Sequence, residues 1–146
     1  MNSRSIGIEI QNTGHSLGYV PFPDKQMDAV RELSAAIIKR NGILPRHVLA
    51  HSDIAPMRKI DPGHLFPWHA LAQDGIGFWP LESAPEASMD DVLHILGDFG
   101  YDTTIPFDKL IEAFQRHFEP EVYSHDNAPG IITPRTLQRI GGMIGC

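Results

Sequence analysis

The spacing of the apolar residues changes along this chain, and that change limits its architecture more than any other feature. Ile6, Ile8 and Ile10 alternate with Ser5, Gly7, Glu9 and Gln11, the two-residue repeat of a strand with one apolar face. After Ser88 the apolar residues fall at helical intervals instead: Val92, Ile95, Leu96 and Phe99, then Phe107, Leu110, Ile111, Phe114 and Phe118, then Leu137 and Ile140. Pro80 to Pro85 reads as a short linker between the two regimes. The expected organisation is an α/β unit over residues 1–80, a linker over 81–86 and a small three-helix domain over 87–146.

Within the first unit, Asn12 to Pro23 is rich in turn residues and reads as a loop. A helix is expected with Asp24 as its N-cap, running to about Arg40 and stopped by Asn41-Gly42, with Met27, Val30, Leu33, Ile37 and Ile38 on its buried side. His47 to His51 reads as a second strand, with His47, Leu49 and His51 on one face. In the second unit, Ser88 with Asp91 resembles a capping box, Pro106 suits a helix start, and Thr133-Pro134 opens the last helix.

Charge narrows the partners. Residues 1–80 carry eight Lys and Arg against seven Asp and Glu, whereas residues 81–146 carry four against eleven. No basic stripe exists to neutralise a phosphate backbone, so nucleic acid is not an expected partner. There is no transmembrane run, and the single cysteine, Cys146, leaves no internal disulfide to form.

The chemistry concentrates in His51-Ser-Asp-Ile-Ala-Pro-Met-Arg-Lys59-Ile-Asp61-Pro-Gly. Imidazole and carboxylate are two of the ligand types that hold a catalytic zinc. A lysine two residues before the carboxylate supplies a cation where an oxyanion would develop. Pro56-Met57 and Asp61-Pro62-Gly63 bend the segment, so a ten-residue gap still lets both ligands reach one ion. The competing reading is a His–Asp pair that only hydrogen-bonds. Glu9, on the polar face of the first strand, needs a partner if buried, and an ion pair with Lys59 would provide one without catalysis. Trp68 and Trp79 read first as packing anchors, and His94, His117 and His125 as solvent-facing.

Two blocks carry a resemblance. His51-Ser-Asp-Ile-Ala-Pro56, Arg58-Lys59, Asp61-Pro-Gly63 and Leu65-Phe-Pro-Trp68 form one; Asn2-Ser-Arg-Ser-Ile-Gly-Ile-Glu-Ile10, with Asn12, Gly14 and Tyr19-Val-Pro-Phe-Pro23, forms the other. Together they resemble the zinc-dependent N-acetylmuramoyl-L-alanine amidases of the type 2, AmpD/AmiD-like family. The 87–146 segment resembles, more weakly, the peptidoglycan-binding helical module that follows the catalytic domain in AmiD-type enzymes. The resemblance implies hydrolysis of the amide between N-acetylmuramic acid and L-alanine in peptidoglycan or muropeptides. It makes His51 and Asp61 ligands of Zn2+, Glu9 the general base and Lys59 the oxyanion stabiliser. It favours a bacterial periplasm or cell envelope, with the cytoplasm, where a recycling amidase would act, as the alternative.

The family's first zinc histidine lies upstream of the Ser-Ile-Gly-Ile-Glu block and has no counterpart here. The expectation is therefore an N-terminally shortened amidase with an incomplete mixed sheet. His15 is the nearest substitute ligand, though similar loops carry a histidine there in a structural or substrate-side role. The alternative is a non-catalytic protein that binds muropeptide or peptidoglycan.

Overall fold

A computed structural model describes residues 4–124 and 128–145. Cys146 and His125 lie outside the described residues. Among the described residues six α-helices form: α1 Asp24–Asn41, α2 His51–Ile54, α3 Trp68–Gln73, α4 Val92–Phe99, α5 Phe107–Phe118 and α6 Pro134–Gly141. Short 3-10 turns at His15–Leu17, Pro45–His47 and Pro120–Ser124 link them.

The expected α/β fold with a mixed sheet is not found. Among the described residues there is no strand. A strand exists only through hydrogen bonds to a neighbour, and none of the backbone–backbone bonds between segments of the described residues involves residues 6–10. The Ile6–Ile10 alternation is real, but Ile6 and Ile8 are exposed and only Ile10 packs on the core. The second expected strand is replaced by the 3-10 turn at Pro45–His47, a short extended stretch through Ala50, and α2 beginning at His51 itself. Pro45 sits at the start of that turn, where a fixed φ and a missing N–H cost nothing.

α1 runs as its apolar spacing requires and ends at Gly42, whose φ of 62° is the left-handed conformation that a side chain disfavours. Its N-cap is Pro23 rather than Asp24, which is the first helical residue. Met27, Val30 and Ser34 are its buried residues, while Leu33 remains 49% exposed. A helix face needs a covering layer, and no sheet covers this one. The first apolar cluster is therefore small: Phe22, Met27, Val30, Ala50, Phe66, Trp68, Leu71 and Ile76.

The second cluster is denser. Val92, Ile95, Leu96 and Phe99 of α4, Leu110, Ile111, Phe114 and Phe118 of α5, and Ile140 of α6 are all buried together. Thr133 caps α6, its hydroxyl accepting from the Thr136 N–H at 3.1 Å. Ser88 accepts from the Asp91 N–H at 3.2 Å at the head of α4. Trp79 packs against both clusters. Residues near Pro80–Ala87 lie along α6, with the Leu81 and Ala87 N–H groups donating to Gly142 and Leu137 carbonyls.

Phe114 is fully buried and ringed by Tyr101 and Phe118. Its truncation to alanine leaves a cavity between α4 and α5, and Phe114→Ala is expected to cost about 3–5 kcal/mol in denaturant unfolding. A loss below about 1 kcal/mol would mean that the three helices do not share one core.

Candidate functional site

The 51–63 segment is folded by its own backbone. The Ser52 N–H donates to the Asp61 carbonyl at 3.0 Å, and the Arg58 and Lys59 N–H groups donate to Ala55 at 3.0 and 2.9 Å. These bonds turn the chain back so that residues ten apart in sequence meet. His51 Nδ1 and Asp61 Oδ2 lie 3.0 Å apart, with both side chains partly exposed. The Asp61–Pro62 peptide is cis.

Gly63 follows at a φ of +87°, and a Cβ there would stand 2.5 Å from the Tyr19 hydroxyl. Only glycine allows that approach. Tyr19 uses it to tie the segment down: its hydroxyl donates to the Pro62 carbonyl at 2.8 Å and accepts from the Leu65 N–H at 2.9 Å. His15 stacks on Tyr19 and His64 on Tyr123. Burial first, and then neighbouring positive charge including that of Arg116, hold both imidazoles below their ordinary pKa.

From within, α2 is anchored by Asp53, a residue the sequence reading assigned no separate role. Asp53 Oδ2 accepts from the Ala50 N–H at 2.7 Å and lies 2.7 Å from His117 Nδ1, while Oδ1 accepts from the Tyr101 hydroxyl at 2.9 Å. The Asp53 and His117 side chains are 4% and 2% exposed. A carboxylate offers only acceptors, so the His117 ring carries its hydrogen on Nδ1. His117, expected at the surface, is instead sandwiched between Trp68 and Phe118. Its place seven residues after Leu110 and three after Phe114 puts it on the apolar face of α5, and the partner that makes its burial tolerable comes from α2.

The four candidate residues do not all meet. His51 and Asp61 are in contact. Lys59 is half-buried in a groove against α5, and Glu9 is exposed on the unpaired N-terminal segment. Neither the Glu9 nor the Lys59 side chain makes a hydrogen bond or ion pair among the described residues, so the structural Glu9–Lys59 pair is not formed.

Zinc suits the donor types but not their number. Imidazole nitrogen and carboxylate oxygen on one tetrahedral zinc stand about 3.3–3.5 Å apart, given Zn–N and Zn–O bonds of about 2.0–2.2 Å. The 3.0 Å separation is within a few tenths of that. Catalytic zinc uses three protein ligands, however, and no group of three His, Cys, Asp or Glu converges among the described residues. His15 does not complete the set, although it is close enough to Asp61 to feel its charge.

Residues 1–64 match the model of the N-acetylmuramoyl-L-alanine amidase family, and the chain is similar to AmiD- and AmpD-type amidases. N-acetylmuramoyl-L-alanine amidase AmiD of Escherichia coli K12 is 42% identical over 145 residues, covering 85% of this chain and 52% of that protein. 1,6-anhydro-N-acetylmuramyl-L-alanine amidase AmpD of Enterobacter cloacae is 37% identical over 73 residues, 48% of this chain and 37% of that protein. Among solved structures, E. coli AmiD in complex with anhydro-N-acetylmuramic acid-L-Ala-D-gamma-Glu-L-Lys superposes with a TM-score of 0.72 at 35% identity, over 87% of this chain and 54% of that one. Pseudomonas aeruginosa AmpDh3 superposes with a TM-score of 0.75 at 28% identity, over 86% and 54% respectively. The chain spans about half the length of AmiD and AmpDh3, and less of AmpD.

Two measurements follow from this geometry. Asp53→Ala strands the Ala50 N–H, the Tyr101 hydroxyl and the His117 ring in a dry interior, and is expected to cost roughly 3 kcal/mol of unfolding free energy or more. An unfolding midpoint unchanged from the parent would contradict it. Burial also raises the Tyr101 phenol well above its ordinary range, helped by Asp53, and raises Tyr123 to about 12. An unfolded phenol ionises near 10, so these neutral phenols contribute stability that is whole below about pH 10 and lost as pH rises toward about 12. The thermal midpoint should fall over that window, and fall less in Tyr123→Phe.

Proposed function

We propose that this chain provides part of the catalytic unit of an amidase that hydrolyses the bond between N-acetylmuramic acid and L-alanine in muropeptides or peptidoglycan. The observation that supports this most directly is the His51–Asp61 contact, held by a backbone turn inside the segment that matches the amidase family. In this reading His51 and Asp61 are zinc ligands. The described residues supply these two and no third, so a working zinc site needs a further donor from outside them.

The roles of the chain's own residues follow from their chemistry. Lys59, two residues before Asp61 and without an acid partner among the described residues, can donate to the oxyanion that develops when water attacks the amide carbonyl. Glu9 is the base that takes the proton from that water. Its exposed position on the N-terminal segment requires that segment to settle against the 51–61 loop before the role is met. Residues 1–80 would form the catalytic part, 81–86 the connection and 87–146 a wall-binding helical module. Wall polymer as substrate suits a periplasmic or envelope setting. No described helix is long and apolar enough to cross a membrane.

The two-cornered metal pair also favours a second reading, in which the chain binds muropeptide without cutting it. One assay separates them. Release of peptide from anhydro-N-acetylmuramyl-tripeptide is followed with added zinc, beside equilibrium binding of the same compound, in the parent chain and in His51→Ala and Lys59→Ala. The amidase reading expects zinc-dependent release that falls by at least about a hundredfold in either variant. Binding with no release supports the second reading, and neither binding nor release would sink both.

A further inference from the structure

The groove between the 56–60 turn and α5 holds a charge arrangement that the candidate catalytic residues do not explain. It encloses about 330 Å³, and Met57, Arg58, Lys59, Ile60, Lys109 and Arg116 are among its walls. Four of the chain's twelve Lys and Arg residues line it, against one acid, Glu112. That carboxylate is already used: Lys109 Nζ donates to it at 2.8 Å and Arg116 Nη2 at 2.7 Å. Arg58 and Lys59 pair with no acid among the described residues.

The concentration runs against the local background. Residues 81–146 carry four cations and eleven acids, yet two of those four cations face this one groove. Arg116 is held there firmly, its side chain 6% exposed and its guanidinium 5.3 Å over the Tyr123 ring. A fixed cation between low-dielectric walls focuses positive potential into the space beside it. The effect reaches beyond the groove: burial is the main cause that lowers the pKa of His15 and His64, Arg116 adds to it at both, and His15 also feels Asp61. The groove and the His51–Asp61 pair therefore share one neighbourhood, with Lys59 and Ile60 leading directly into Asp61. Met57 and Ile60, both exposed, add apolar surface beside the cations.

We propose that this groove binds an anionic peptide, with Arg58 from the loop and Lys109 from the helical half engaging its carboxylates over the Met57–Ile60 surface. The inference rests on the amidase reading, in which that peptide is the stem of the muropeptide and the groove is its subsite. A γ-linked glutamate keeps its α-carboxylate free, and a C-terminal residue supplies a second one. Charge-assisted bonds from guanidinium and ammonium groups are the chemistry that recognises such a ligand. The helical half then takes part in substrate recognition through α5, apart from any contact it makes with glycan.

The test titrates N-acetyl-L-Ala-D-γ-Glu-L-Lys, whose blocked amino end leaves two carboxylates against one ammonium group, and its analogue amidated at the glutamate α-carboxylate, into the isotope-labelled chain at low ionic strength, read by amide NMR shifts. The expected result is saturable shifts at residues 56–60 and 109–116, with affinity falling about three- to tenfold in Arg58→Ala and in Lys109→Ala, and by a similar factor on amidation. Lys39→Ala, at the far end of α1, should leave affinity unchanged. Absence of saturable binding, shifts elsewhere on the chain, or affinity equal in parent and both variants would overturn the proposal. Neither metal nor muramic acid enters the titration, so it fails or succeeds separately from amide cleavage. Cleavage that proceeds without any dependence on Arg58 and Lys109 would remove the subsite and leave the amidase reading standing.

Discussion

The Asp53 carboxylate is the contact on which the arrangement of the candidate site depends. Three donors from three parts of the chain converge on it: the Ala50 N–H just before His51, the Tyr101 hydroxyl after α4 and the His117 ring near the end of α5. A buried carboxylate is costly unless its lone pairs are filled, and here they are filled only when α2 lies against the helical half. The same carboxylate also fixes the start of α2, from which His51 projects. The two halves thus meet at a point only two residues from a candidate metal ligand, and Trp68 stacked on His117 seals it.

The helical half was legible from the sequence because its signals are local. Val92, Ile95, Leu96 and Phe99, and Leu110, Ile111, Phe114 and Phe118, repeat at helical spacing and are buried as that spacing requires. Capping at Thr133 and the left-handed stop at Gly42 are equally local and equally readable. The strands were not legible in the same sense. Alternation at Ile6, Ile8 and Ile10 states which face would be buried if a neighbour paired with the segment, and says nothing about whether one does. The same limit explains Leu33, whose place in the helical repeat is correct but whose covering layer is missing.

At the site, sequence reasoning found the pair that the loop's own backbone brings together and missed the groups that come from afar. His51 and Asp61 meet because Ser52 bonds to Asp61 and the turn at Ala55–Lys59 closes, both within a dozen residues. Asp53 was visible only as part of a motif, since its side-chain partners are 48 and 64 residues away. His117 was expected at the surface for the same reason. A polar residue on an apolar helix stays cheap to bury only if its partner arrives from another element, and no spacing rule announces that partner.

Charge follows the same logic at longer range. Summed over residues 81–146, acids outnumber bases by nearly three to one, which by itself would turn an anionic ligand away. The sum hides the placement. Lys109 and Arg116, one and a half to two turns apart on α5, face the loop that carries Arg58 and Lys59, and Glu112 between them is consumed by the two it could neutralise. What remains is a local positive field beside a His–Asp pair, built from both halves of the chain and absent from either alone. The interface that Asp53 secures is therefore also what assembles the groove, since any shift of α5 relative to α2 would separate the four cations.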